Sequence, residues 1–343
     1  MSVILSGIQP SSSSLQLGNY IGAILNWKKV VKNLKKDDFC YFMLADLHSL
    51  TSNKDPQCLA ENTKKLMATY IACGIEPKKN VIFFKQSMVP AHCELCWILS
   101  TITPLGQLER MTQFKDKKAK FGEKGAENIN SGLLYYPILM IADIILYKAN
   151  LVPVGEDQTQ HIELTRDIVQ RFINIYGNGE NDDIFTIPEG MIGNTSKRIM
   201  SLGDGNKKMS KSTGEAKDTI FLSDTNDEIA KKIKTAKTDS IVGIYYDKEK
   251  RPEVSNLINI YSSLSGVSIA DINNKYNYEK STKAFKDDLT QIIINEIEPI
   301  RTKQNEILKD KTYLDKILEE GNKRANQVAN NTLVKVKKAV GLL

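Results

Sequence analysis

Apolar and polar positions alternate along this chain in two periods. Continuous apolar runs at 3–5, 39–44, 81–84 and 151–154 read as short buried strands. Between them lie longer stretches, 19–34, 56–73 and 133–147, whose apolar residues recur every three to four positions, as Tyr20, Ile24, Trp27 and Val31 do in the first. Strands separated by amphipathic helices predict a parallel sheet covered on its faces, an α/β fold of the doubly wound, Rossmann-like kind. From about residue 223 the strand pattern stops. Phe285, Leu289, Ile292, Ile293 and Ile297 keep helical spacing, and Leu314, Ile317 and Leu318 repeat it. The expected division is a sheet-bearing domain over 1–215 and a smaller all-helical domain over 216–343, whose last helices can pack back on the first.

Composition narrows the class. With 343 residues and 41% hydrophobic content the chain can bury one large core and a second smaller one. No charged, apolar and small-residue succession marks a secretory leader, and no apolar run approaches the roughly 20 residues of a membrane span. A cytoplasmic protein with no membrane partner is expected. The five cysteines are odd in number and suit reduced thiols. Cys93 and Cys96 form a single CxxC in a helical stretch, read as packing or surface thiols against the alternative of a metal or redox site. A net charge of +6 is compatible with a polyanionic partner without identifying one, and DNA is not expected.

Chemistry concentrates in a few polar segments. Lys208-Met209-Ser210-Lys211-Ser212 lies in a glycine-bearing polar loop, where two lysines three positions apart suit neutralisation of a polyphosphate. A solvated basic surface loop is the competing reading. At the other end, Ser6-Gly7-Ile8-Gln9-Pro10 leaves the first strand, and Leu15-Gln16-Leu17-Gly18-Asn19 opens a helix. A strand, a polar turn and a helix start make an anion site from backbone N–H groups and the helix dipole. Candidate segments fall after Leu5, Leu44 and Val154, at the carboxyl ends of strands, where ligands of such sheets bind.

These blocks resemble bacterial-type tryptophanyl-tRNA synthetases, members of class I. The matching segments are Ser6 to Pro10, Leu17-Gly18-Asn19-Tyr20-Ile21-Gly22, Leu108-Glu109-Arg110-Met111-Thr112-Gln113-Phe114-Lys115, Val152 to Gln158, Gln160-His161-Ile162-Glu163-Leu164-Thr165-Arg166-Asp167 and the lysine loop. They come in the family's order and span almost the whole chain. The resemblance implies activation of L-tryptophan with ATP to tryptophanyl-adenylate and pyrophosphate, then transfer to the 3′ end of tRNA(Trp). It also implies a homodimer, and Mg²⁺ that travels with the triphosphate and needs no carboxylate cage. For ATP it points to Gln9, Pro10, Ser11, Gln16, Gly18, Asn19, Gly155, Glu156, Asp157, Ile199, Lys208, Met209, Ser210, Lys211 and Ser212. Lys208 and Lys211 would hold the phosphates, joined by Lys117, which also reads as part of a plain charged run with Lys115, Lys118 and Lys120.

Tryptophan selection falls on the helix over 133–147. Tyr136, Met140 and Asp143 share one face of an otherwise apolar segment, and an acceptor in an apolar slot meets the need of an indole N–H. By the resemblance Asp143 binds the indole, Gln113 and Gln158 lie near the ammonium and carboxylate ends, and Gly7, Tyr136, Met140, Val152 and Val154 form the wall. His48 either lines the same crevice or is a satisfied structural group; His161 reads as a helix cap or structural, and none of the three histidines looks like a general base. Two departures stand out: Gln16 replaces the usual histidine or threonine, and Ser11-Ser12-Ser13-Ser14 replaces a shorter glycine-containing turn. The basic run Lys231, Lys232, Lys234 and Lys237 reads as a solvated face as readily as an RNA contact. The alternatives to a tryptophan enzyme are the sister enzyme for tyrosine and a catalytically silent RNA-binding paralogue.

Overall fold

A computed structural model describes residues 1–10, 14–51, 55–121, 130–155, 158–177, 183–192, 198–209, 216–278 and 281–343, without the side chains of residues 117, 120, 121, 192 and 311. Strands β1 (Val3–Ile8), β2 (Phe39–Leu44), β3 (Val81–Lys85), β4 (Leu151–Val154) and β5 (Glu189–Ile192) form one parallel sheet in the order β3-β2-β1-β4-β5. β1 pairs with β2 from Val3 opposite Phe39 to Ile8 opposite Leu44, so it runs past the predicted 3–5 into Ser6 and Gly7. Edge strand β5 has no counterpart in the sequence pattern. Its Glu189-Gly190-Met191-Ile192 run is too short and mixed to read as apolar, and its pairing with β4 makes it a strand.

Alternate strand residues build two cores, as a pleated strand requires. On one face Phe42 stacks on Phe83 at 5.1 Å and Trp27 on Tyr70 at 5.3 Å. On the other, Tyr41, Met43 and Phe84 pack with Ile138, Ile141 and Ile145 of helix Ser131–Ile145. The predicted helix over 19–34 forms as a continuous run over 17–32 that opens into a π turn at Tyr20–Ile24 directly after Gly18 and Asn19. Helix Pro56–Ala72 follows its prediction closely and starts on Asp55, whose carboxylate accepts from the Gln57 and Cys58 amides.

Beyond residue 216 the described chain is helical: Asn226–Thr235, Pro252–Ser265, Ile269–Tyr276, Lys283–Lys309 and Lys311–Ala339. The first core continues from the sheet into Ile229, Leu257, Phe285, Leu289 and Ile293. The helix Lys311–Ala339 returns to the sheet. Gly321 lies so close to β3 that a Cβ there would collide with the Phe83 carbonyl, Asn322 accepts from the Lys85 amide at 2.9 Å, and Thr332 donates to the Leu146 carbonyl at 2.8 Å. Among the described residues no helix is long and apolar enough to cross a membrane.

Candidate active site

Strand order reverses direction between β1 and β4, and the crevice outside their carboxyl ends is where a doubly wound sheet binds ligands. One wall is built from the segment after β1. Gln16 caps the helical run with extended backbone, and its carbonyl accepts from Asn19 and Tyr20 at 2.9 and 3.1 Å. Two short antiparallel contacts hold the helix start: the Leu17 amide donates to Ile220, and the Leu222 amide to Leu15, both at 2.8 Å. The buried Gln16 Oε1 has no hydrogen-bond partner among the described residues. Gln9 is exposed and Pro10 buried beside this turn.

The base of the lysine loop closes on the same spot. Met200 bridges Lys208, the Met209 amide donates to Ile199 at 3.0 Å, and the Ser201 amide to Lys207 at 2.8 Å. A Cβ on Gly18 would stand 3.6 Å from Met209 Cβ and 3.7 Å from Ile199 Cβ. The two phosphate-type motifs, some 190 positions apart in the chain, therefore touch. Met209 and Ile199 are 1% and 2% exposed, so their side chains belong to the core and only their backbone is left to offer a ligand. Lys208 projects into solvent. Ser11, Glu156, Asp157, Ser210, Lys211, Ser212 and the Lys117 side chain lie outside the described residues.

Across the crevice, helix Ser131–Ile145 carries Tyr136, Met140 and Asp143 on one face, Asn130 capping it through the Leu133 amide. Tyr136 donates to Gln113 Oε1 at 3.0 Å and meets His161 Nε2 at 2.8 Å. Gln158 starts the helix Thr159–Tyr176, and its amide donates to Gly155 at 2.9 Å. His161 lies inside that helix; it ties the helix to Tyr136 sideways rather than capping it. Val152 is buried and Val154 half-buried on β4. At Gly7 a Cβ would press to 3.1 Å from Met43 Cε, so the glycine lowers the crevice floor.

The expected apolar surroundings of Asp143 are corrected by the structure. The carboxylate is 1% exposed and accepts from three side chains: His92 Nδ1 at 2.6 Å and Gln86 Nε2 at 2.8 Å on Oδ1, His48 Nε2 at 2.7 Å and Gln86 Nε2 at 3.0 Å on Oδ2. Its own helix is apolar. The donors come from elements 51 to 95 positions away, which local periodicity does not see. Burial alone would raise this carboxyl; hydrogen bonds from His48 and His92 and electrostatic attraction to their rings reverse that and hold it at about 2. Burial and the Asp143 charge keep the Tyr147 phenol far above its usual range, so its hydroxyl donates to His92 Nε2 at 2.9 Å. That leaves the His92 proton on Nδ1, facing Asp143.

Gln86 and His92 are the partners of Asp143 that sequence reasoning missed. Each follows β3, and only His92, a polar group between Ala91 and Cys93, stands out in the sequence. Gln86 also accepts from the Leu47 amide at 3.2 Å, tying Asp143 to the short helix Asp46–Ser49 that carries His48. His48 is at once a lining and a structural residue. It faces a cavity of about 430 Å³ walled by Leu47, Thr51, Tyr135, Tyr136 and Leu139, while its Nε2 holds Asp143.

The family model for tRNA synthetases class I (W and Y) matches residues 1–298. The chain belongs to this family. It is 47% identical over 342 residues to the tryptophan–tRNA ligase of Clostridium acetobutylicum, covering 99% of this chain and 97% of that one. Among solved structures, the tryptophanyl-tRNA synthetase of Mycoplasma pneumoniae superposes with a TM-score of 0.84 at 33% identity, over 99% of this chain and 98% of that one. The Campylobacter jejuni enzyme, crystallised with ADP and tryptophan, gives 0.82 at 31% identity, over 99% of each chain. The fold expected from the sequence, a Rossmann-like class I synthetase architecture, is therefore the one observed.

Proposed function

We propose that this chain is an ATP-dependent tryptophan–tRNA ligase. The observation that carries the reading is the contact of Gly18 with Ile199 and Met209, which brings the helix start and the lysine loop to one edge of the crevice whose other wall holds Tyr136 and Asp143. The names of the relatives and the ADP and tryptophan bound by the Campylobacter jejuni protein support the same substrates.

In the first step an oxygen of the tryptophan carboxylate attacks the α-phosphorus of ATP. The bond from that phosphorus to the oxygen bridging the β-phosphate breaks, and pyrophosphate leaves. In the second, the terminal ribose hydroxyl of tRNA(Trp) attacks the acyl carbon and AMP leaves. No covalent enzyme nucleophile is needed, so rate comes from positioning and from charge placed where phosphoryl oxygens become more negative. Stabilising the departing pyrophosphate falls to Lys208 and Lys211, with Lys117 as a third candidate, each contributing on the order of 10² to 10³ in rate. Gly18 and Asn19 offer a helix start, and the resemblance assigns Gly155, Glu156 and Asp157 to the nucleotide as well. Mg²⁺ enters as part of the MgATP substrate; among the described residues no group of three His, Cys, Asp or Glu side chains could hold a resident ion.

Asp143 accepts the indole N–H, which neither tyrosine nor phenylalanine supplies; Gln113 and Gln158 hold the amino-acid ends. Residues 1–215 perform the chemistry in the cytoplasm, and 216–343 read the tRNA. A homodimer is supported by the exposed Trp97, Leu105 and Met88, at 72%, 54% and 52% accessibility around helix Ala91–Ser100. The test is amino-acid-dependent ATP–pyrophosphate exchange without tRNA, with tryptophan, tyrosine and phenylalanine in parallel. Exchange with tryptophan alone is expected. Exchange with tyrosine moves the chain to the sister activity, and none with any of them makes it a silent paralogue.

A further inference from the structure

The four hydrogen bonds on Asp143 are not equivalent. His92 is completely buried, its Nδ1–H on Oδ1 and its ring stacked on Phe84 with centroids 6.0 Å apart. Gln86 is equally buried and reaches both oxygens. His48, on Oδ2, is the donor that also lines the cavity, edge-on to Tyr136 at 6.3 Å. Two fully buried donors thus hold the carboxylate, and the third, His48, lies between it and the cavity. We propose that His92, with Gln86, is a positioning residue for tryptophan selection: the pair holds Asp143 ionised and oriented, while His48 gives way on Oδ2 to the indole N–H. This rests on Asp143 being the indole acceptor.

The arrangement solves a physical problem. A carboxylate this deep with a single donor would be driven to take up a proton, and a protonated carboxyl offers that proton to its surroundings instead of accepting from an indole. With His92 and Gln86 fixed, trading the His48 bond for a substrate bond never leaves the charge bare. The other groups around Asp143 do not substitute for them. The Cys93 and Cys96 thiols on helix Ala91–Ser100 and the Tyr147 phenol are all pushed upward, chiefly by burial, and stay uncharged; Asp46 is paired with Lys85 at 3.3 Å.

The test is ATP–pyrophosphate exchange on the full chain, from about pH 5.5 to 9, with tryptophan varied, for His92→Leu, His92→Asn, Gln86→Leu and Asp143→Ala. His92→Leu is expected to raise the tryptophan KM roughly 10- to 100-fold, the loss of one charged hydrogen bond, with kcat within about threefold. That KM should climb further as pH falls, whereas the parent KM stays flat. His92→Asn, which keeps an N–H near Nδ1, should restore both KM and flatness. A folded His92→Leu with KM within about twofold of the parent and a flat profile, or a loss confined to kcat, overturns the inference. Should circular dichroism show His92→Leu unfolded, Gln86→Leu decides in the same way: a raised, pH-dependent KM supports the positioning role and an unchanged KM ends it. Asp143→Ala separates the two levels. Collapse there with an unchanged His92→Leu removes only the positioning role, while an unchanged Asp143→Ala removes the acceptor reading beneath it.

Discussion

Arg251 and Asp143 both carry charge in the dry interior, and they are compensated in opposite ways. Arg251 is completely buried, its Nε and Nη2 forked onto the two oxygens of Asp239 at 2.9 and 2.8 Å. Its remaining donors meet the Gly243 and Ile241 carbonyls at 2.9 and 3.1 Å, and Tyr245 stacks over the guanidinium at 4.4 Å. Every partner lies within 12 positions in one loop. Among the described residues Asp143 meets no lysine or arginine; its donors are an amide and two imidazoles drawn from three separate segments. A permanent charge met by a permanent countercharge is a staple. A charge met by exchangeable donors can change partners, which is what substrate binding asks of it.

The comparison breaks most sharply at Arg251. Arg251→Met strands Asp239 and should cost about 3–5 kcal/mol in urea unfolding, while the tryptophan KM in exchange assays stays unchanged at temperatures where the protein is folded. Asp143→Asn should show the reverse: roughly 10- to 100-fold loss of kcat/KM for tryptophan and only about 1–2 kcal/mol of stability, because a neutral acceptor keeps part of the network. If Asp143→Asn unfolds as readily as Arg251→Met and leaves KM alone, the contrast between staple and site is wrong. A smaller effect sharpens it. The Asp143 carboxyl is held at about 2, below an unfolded carboxyl, so its ionisation stabilises the fold above roughly pH 4, and that contribution fades as pH falls through about 2. The stability gap between the parent and Asp143→Asn, followed by chemical denaturation at decreasing pH, should therefore shrink toward zero at the acid end.

What the sequence made legible follows from the range of each signal. Strands β2 and β4 read correctly because their runs are apolar and bounded within a few residues, and helix Pro56–Ala72 because Asp55 and Pro56 announce its start. The order of the motifs around Gly18, Gln113, Gln158 and Lys208 carried the family. Asp143 was found as a polar residue on an apolar helix, but its environment was misread, since neither His92 nor Gln86 can be connected to it without the sheet that sets β3 beside β2. The π turn at Tyr20–Ile24 was equally hidden; a helix-period pattern does not distinguish four from five residues per backbone bond over one turn.

The return of helix Lys311–Ala339 to the sheet has a consequence for how the protein is made. β3 is an edge strand, and its Phe83 carbonyl and Lys85 amide are covered by Gly321 and Asn322, the latter 237 positions downstream of Lys85. Until that helix leaves the ribosome, the newborn sheet carries an open hydrogen-bonding rim beside Ile82 and Phe84, a template for strand pairing between neighbouring nascent chains. A message truncated ahead of Lys311 therefore yields an aggregating fragment in place of a free-standing catalytic half, and helix Lys311–Ala339 acts as the seal on a sheet made well before it.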